Sequence, residues 1–151
     1  MSGAPACPTC GARWEAGQDC QSQFEALLAL EFADPAYGQV HFFTVACYMI
    51  QHGRYSPSAL AWVQQKLRGV LQEGLAMDQL RAQAAAENRP GARTASVLRS
   101  ADDPPAPRVD WRVTLADAAA QAGSAESYCA AVRRWAAATL EQMPGVELST
   151  H

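Results

Sequence analysis

The chain has 151 residues, of which 49% are hydrophobic, and a net charge of −3. That length suits one domain with a real core. The acidic balance argues against a nucleic-acid backbone or an anionic membrane as the main partner, and no apolar run approaches the ~20 residues needed to span a bilayer.

Alanine carries much of the hydrophobic share, which favours close-packed helices, and strand-like alternation is scarce. The expected fold class is all-α, a helical bundle of about five to six helices with an N-terminal zinc knuckle, read as a single domain over 1–151. Residues 1–19 are rich in Gly, Pro and Cys and read as the knuckle. A first helix begins near Cys20, carries Phe24, Leu27, Leu28 and Glu31 at helical spacing, and ends at Asp34-Pro35. The same pair starts a second helix over roughly 35–52, with Asp as N-cap and Pro at the first helical position. Its stripes, Val40, Phe43, Cys47, Ile50 and His41, Val45, Tyr48, His52, make it apolar nearly all round and therefore central.

Gly53 closes that helix, and Ser56-Pro57 opens the next, with the stripe Leu60, Val63, Leu67, Val70, Leu71, ended by Gly74. A shorter helix over 77–87 completes a helical core spanning 20–87. The stretch 88–113, with Arg89-Pro90-Gly91 and several prolines up to Pro107, reads as an exposed Pro-rich connection. C-terminal helices fill 114–143: a short one capped by Thr114, reaching about Ala122, then one over 125–143 packing through Tyr128, Val132, Trp135, Thr139 and Met143.

The strongest chemical signal is Cys7-Pro8-Thr9-Cys10-Gly11, followed by Cys20. Two thiolates separated by two residues grip one zinc ion because a tight turn brings both sulfurs to one side, and the following Gly lets backbone amides turn toward them. Cys20, opening the first helix, is the natural third ligand. The fourth follows from helix geometry. From Cys20 to the turn at Asp34 is about 14 residues, or ~20 Å at ~1.5 Å per residue, and an equal climb up the second helix of an antiparallel hairpin reaches residues 49 to 52. His52 is thus level with Cys20. The expected structural zinc site is Cys7, Cys10, Cys20 and His52, with Cys47 as the reserve fourth ligand. Trp14, within the loop, is expected to cover it. The competing readings are free thiols and a redox CPxC; the latter normally follows a strand, and only six residues precede Cys7.

A second polar group is Glu31, His41 and Tyr48. A carboxylate beside an imidazole orients it for acid–base chemistry or for a second metal. The blander reading is a buried hydrogen-bonded cluster that fixes helix register. Trp62, Trp111 and Trp135 are expected as packing, Arg133-Arg134 as a solvated face, and Cys129 as a small buried residue.

The order of features resembles an uncharacterised bacterial family, a domain of unknown function. The resemblance rests on Cys7, Pro8, Cys10 and Gly11, then Cys20, then Glu31, Phe32, Asp34, Pro35 and Tyr37, then His41, Tyr48, Gln51 and His52. It is strongest over 7–75, with Leu115-Ala116-Asp117 and Trp135 corresponding further on. Where that pattern has an Asp and a Pro, this chain has Ala46 and Gly53. The resemblance implies no known reaction.

The expected function is a zinc-binding helical module, binding or regulatory, for an unknown protein or small molecule. The alternative is a metal-assisted hydrolase or other enzyme centred on Glu31, His41 and Tyr48. Neither nucleic acid nor membrane is expected as partner, since the knuckle offers only Arg13 as a cation. The opening residues have neither a basic nor an apolar region, so no secretory signal is expected and the cytoplasm is the expected location. There the five cysteines stay reduced.

Overall fold

The computed structural model describes residues 6–87 and 97–144. Among these the structure is all-α: α1 (Cys20–Ala33), α2 (Pro35–Gly38), α3 (His41–Gln51), α4 (Pro57–Gln72), α5 (Met77–Glu87), α6 (Leu115–Ala119) and α7 (Ala125–Gln142). No strand occurs among the described residues, only an isolated bridge between Tyr55 and Leu98. No helix among them is long and apolar enough to cross a membrane. The chain divides into two compact units: one built from the residues up to Gly53 together with Pro107–Met143, the other from Arg54–Ala106.

In the first unit, α1 starts where the Asp19 side chain accepts the Ser22 N–H at 2.7 Å, satisfying one of the unpaired donors of a helix start. It ends at Asp34, whose extended backbone frees its carboxyl group to cap α2 through the Ala36 N–H at 2.9 Å, with Pro35 in the first turn. One residue therefore closes one helix and opens the next.

The single helix expected over 35–52 is two helices, which raises the helix number to seven among the described residues. The chain leaves helical dihedrals at Val40, with φ −103 and ψ 13. Two contacts explain the break. Gly38 lies against the Glu31 carbonyl, where an added Cβ would come within 2.8 Å of the oxygen. Val40 is fully buried, anchoring the chain at the turn. Beyond it, α3 runs against both α1 and α7. It ends at His52, and Gly53 adopts φ 63, a left-handed conformation that suits a residue without a Cβ.

Thr114 and Asp117 form a reciprocal cap on α6. That helix stops at Ala119, earlier than its sequence suggests, and the chain turns into Ser124, which caps α7. Along α7, Tyr128, Val132, Trp135, Ala136 and Thr139 are fully buried, and with Phe43 and Cys47 of α3 they form the core of this unit.

In the second unit, Ser56 caps α4 through the Ala59 N–H, and α4 packs on α5. Lys66 is largely buried and reaches across to Gln83 at 2.6 Å. Trp62 donates its indole N–H to Glu87. Of the expected Pro-rich connection, 88–96 lies outside the described residues, as does the tail beyond Pro144.

Candidate metal centre

The knuckle folds because its backbone closes on itself. Cys7 N–H donates to the Ala12 carbonyl at 2.8 Å, and Gly11 N–H donates to the Cys7 carbonyl at 2.9 Å. Gly11 takes φ 84, which turns the Ala12 N–H onto the Cys10 sulfur at 3.4 Å. Trp14 donates its indole N–H to the Cys20 sulfur at 3.3 Å, so it does lie over the cluster.

Four ligand atoms then converge. Cys10 Sγ and Cys20 Sγ are 3.6 Å apart, and Cys7 Sγ is 3.8 Å from His52 Nε2. All the ligand atoms of Cys7, Cys10, Cys20 and His52 lie within 4.8 Å of one another. A tetrahedron with ~2.3 Å metal–sulfur bonds has sulfur–sulfur edges of about 3.8 Å, so the spacing fits one ion. The His52 ring is already oriented: its Nδ1 lies 2.8 Å from the Tyr48 carbonyl, which only accepts, so Nδ1 carries the proton and Nε2 presents its lone pair to the sulfurs. The four residues are therefore compatible with metal binding.

Electrostatics point the same way. Burial pushes the Cys10 thiol well up, and burial likewise raises Cys20 against the lowering effect of the Trp14 N–H. Burial also acts to raise Cys7, but the amides of Cys10 and Thr9 outweigh it and hold that thiol below the ordinary cysteine value. The two buried thiols, Cys10 and Cys20, resist ionising beside a Cys7 that does not; a divalent cation would favour the thiolate form of all three. Cys47, the reserve ligand, is not part of the group. It is fully buried on the α7 side of α3, where burial pushes its thiol up to about 12 against a lowering hydrogen bond with Thr139.

One turn along each helix from the ligands lies an aromatic layer. Phe24 follows Cys20 by four residues and Tyr48 precedes His52 by four, and their rings stack with centroids 3.8 Å apart and planes 1° from parallel. Tyr48 also packs on the His52 ring at 4.3 Å. The structure thus places the Tyr48 ring against Phe24 and His52.

Glu31 and His41 do meet, at 2.7 Å through Nδ1. The other Glu31 oxygen accepts from Thr44 at 2.6 Å and from Tyr128 at 2.5 Å. Tyr128, whose hydroxyl is raised by burial and by the Glu31 hydrogen bond, occupies the role sequence reasoning gave to Tyr48. Thr44 was findable as the residue one turn beyond His41; Tyr128 comes from a helix whose register on α3 no local pattern reveals. The Glu31 side chain is 1% exposed and that of His41 is 41% exposed. Among the described residues, the group able to hold a metal does not include His41 or Glu31. Cys129 is half-exposed rather than buried, its thiol donating to the Ala36 carbonyl.

Fold and site together define an all-helical protein with a sulfur-rich loop seated on a pair of helices. The chain belongs to a family of unknown function, DUF5946, whose model matches residues 5–144. No curated protein and no solved structure matches it.

Proposed function

We propose that Cys7, Cys10, Cys20 and His52 hold one structural zinc ion, and that the protein is a zinc-stapled helical module that binds a partner or ligand rather than transforming it. The observation that carries the reading is the convergence of three sulfurs and an oriented imidazole nitrogen within 4.8 Å. Soft thiolates with one imidazole favour zinc. Four protein ligands fill the coordination sphere, which leaves no position for a substrate and makes the ion a staple between loop and helices. Reduced thiols require a reducing compartment, and we place the protein in the bacterial cytoplasm. The net charge of −3 speaks for a protein or small molecule as the partner, rather than a nucleic acid or membrane.

The test is elemental analysis of the purified chain alongside its Cys10→Ser variant. The expected result is one zinc per chain, with the variant losing zinc and melting temperature together. Metal-site free energies are of order ~10 kcal/mol, so the melting shift should be large. Equal zinc in both proteins would overturn the assignment.

A second reading is favoured by one observation, the half-exposed His41 held through Nδ1 by a buried Glu31. A carboxylate-backed, partly exposed imidazole is a general base in form. Turnover of ester or phosphate substrates abolished by His41→Gln would support an enzyme; turnover unchanged by that substitution would remove His41 from it.

A further inference from the structure

A cavity of about 350 Å³ opens beside the knuckle. One wall is the turn from Ala6 to Gly11; the other is the segment from Arg108 to Trp111. Small-molecule sites run from about 300 to 1,000 Å³, so the space suits a compact ligand. Its lining is chemically divided. Pro8, Val109 and the Trp111 ring are apolar, whereas Arg108 and Asp110 carry opposite charges two residues apart.

Those charges are uncommitted. Among the described residues the ion pairs are His41–Glu31, Lys66–Glu87 and Arg112–Glu141, so Arg108 and Asp110 pair neither with each other nor elsewhere. The segment is nevertheless held in place by its backbone. The Asp110 carbonyl accepts from the Gln142 side-chain amide at 2.8 Å, and the Arg112 N–H donates to the oxygen of the same amide at 2.8 Å. One side chain of α7 thus clamps the strip and leaves its charged groups facing solvent at the cleft. Residues two apart have backbones at most ~7 Å apart, and the two ends of a dipeptide are separated by no more than the same distance.

We propose that this cleft binds a short zwitterionic peptide, a dipeptide with apolar side chains. Arg108 takes its carboxylate, Asp110 its amine, and Trp111 with Val109 and Pro8 its side chains. The proposal rests on the zinc-module reading in one respect: the turn that walls the cleft is the turn the ion ties down.

The experiment is calorimetric titration of the full chain, its zinc content measured on the same sample, with Leu-Leu, with N-acetyl-Leu-Leu-amide and with free leucine. Saturable binding of Leu-Leu is expected, weakened at least about tenfold by capping both ends, by shortening to leucine, by Arg108→Gln and by Asp110→Asn. Backbone amide shifts should localise to 6–11 and 108–111. Both variants change exposed side chains, so zinc content and circular dichroism should match the parent. A chain carrying one zinc that shows no saturable binding would overturn the cleft alone. Equal binding of the capped peptide, or binding indifferent to both charge variants, would do the same. Binding by a chain free of zinc would support the cleft and overturn the metal reading.

Discussion

Two of the three carboxyl partners of Glu31, the Thr44 and Tyr128 hydroxyls, belong to buried residues. The Thr44 hydroxyl can also turn to the Val40 carbonyl, 3.2 Å away, so the Tyr128 hydroxyl is the donor that loses most if the carboxylate is changed. Glu31→Gln replaces a charged acceptor that faces His41, Thr44 and Tyr128 with a neutral amide carrying a single acceptor oxygen, at a cost of about 1–3 kcal/mol. Urea unfolding reads this directly, and an unshifted midpoint would mean Glu31 pins nothing. At Gly38 the constraint is space: a methyl group there would sit 2.8 Å from the Glu31 carbonyl oxygen, a backbone atom that cannot swing aside. Gly38→Ala should therefore destabilise by about 1–3 kcal/mol, the usual range for overpacking, and it should perturb the His41 environment in an NMR spectrum as the Glu31 turn shifts. The two histidines separate by the same logic. His52→Ala should lower zinc content, while His41→Ala should leave it at the parent level, since only His52 presents a nitrogen to the sulfurs.

At the level of elements, Asp34 serves two helices, so Asp34→Ala should cost about 1 kcal/mol through the lost cap of α2 and loosen the turn that returns the chain along α1. Amide exchange at Ala36 is the measurement, with acceleration expected and parent-like protection counting against the cap. Caps of this kind are why so much of the fold is readable from the chain itself. Asp34-Pro35, Ser56-Pro57, Thr114 and Ser124 act through neighbours two or three residues away, and each marks a helix start observed in the structure. Counting helical turns also sufficed to set His52 level with Cys20. What could not be read was decided by distant contacts. The break before α3 follows from Gly38 meeting α1 and from burial of Val40, while the surrounding Val40-His41-Phe42-Phe43 run looks unbroken. Tyr128 reaches Glu31 across 97 residues, a pairing fixed by how α7 lies on α3. Tyr48 and His41 share one face of α3, but two turns of helix, about 10.5 Å, separate them along it.

For the molecule as a whole, the four clustered ligands all fall in the unit built from residues up to Gly53 and from Pro107–Met143, and none in the unit that holds α4 and α5. Chelation should therefore act unevenly. Hydrogen exchange in the presence of a strong chelator is expected to rise through the knuckle, with α1, α3, α4 and α5 holding their protection. Uniform acceleration over both units would show that the ion supports more of the chain than the cluster alone implies. The Phe24–Tyr48 stack adds a kinetic consequence. Because it joins the two helices one turn away from the candidate ligands without using an ion, depletion of a bound metal should leave Cys20 and His52 in place as a waiting half-socket. Loading then amounts to a short loop snapping shut over a floor already laid, so uptake after depletion should be quick and reversible, without the wait for a chain to refold.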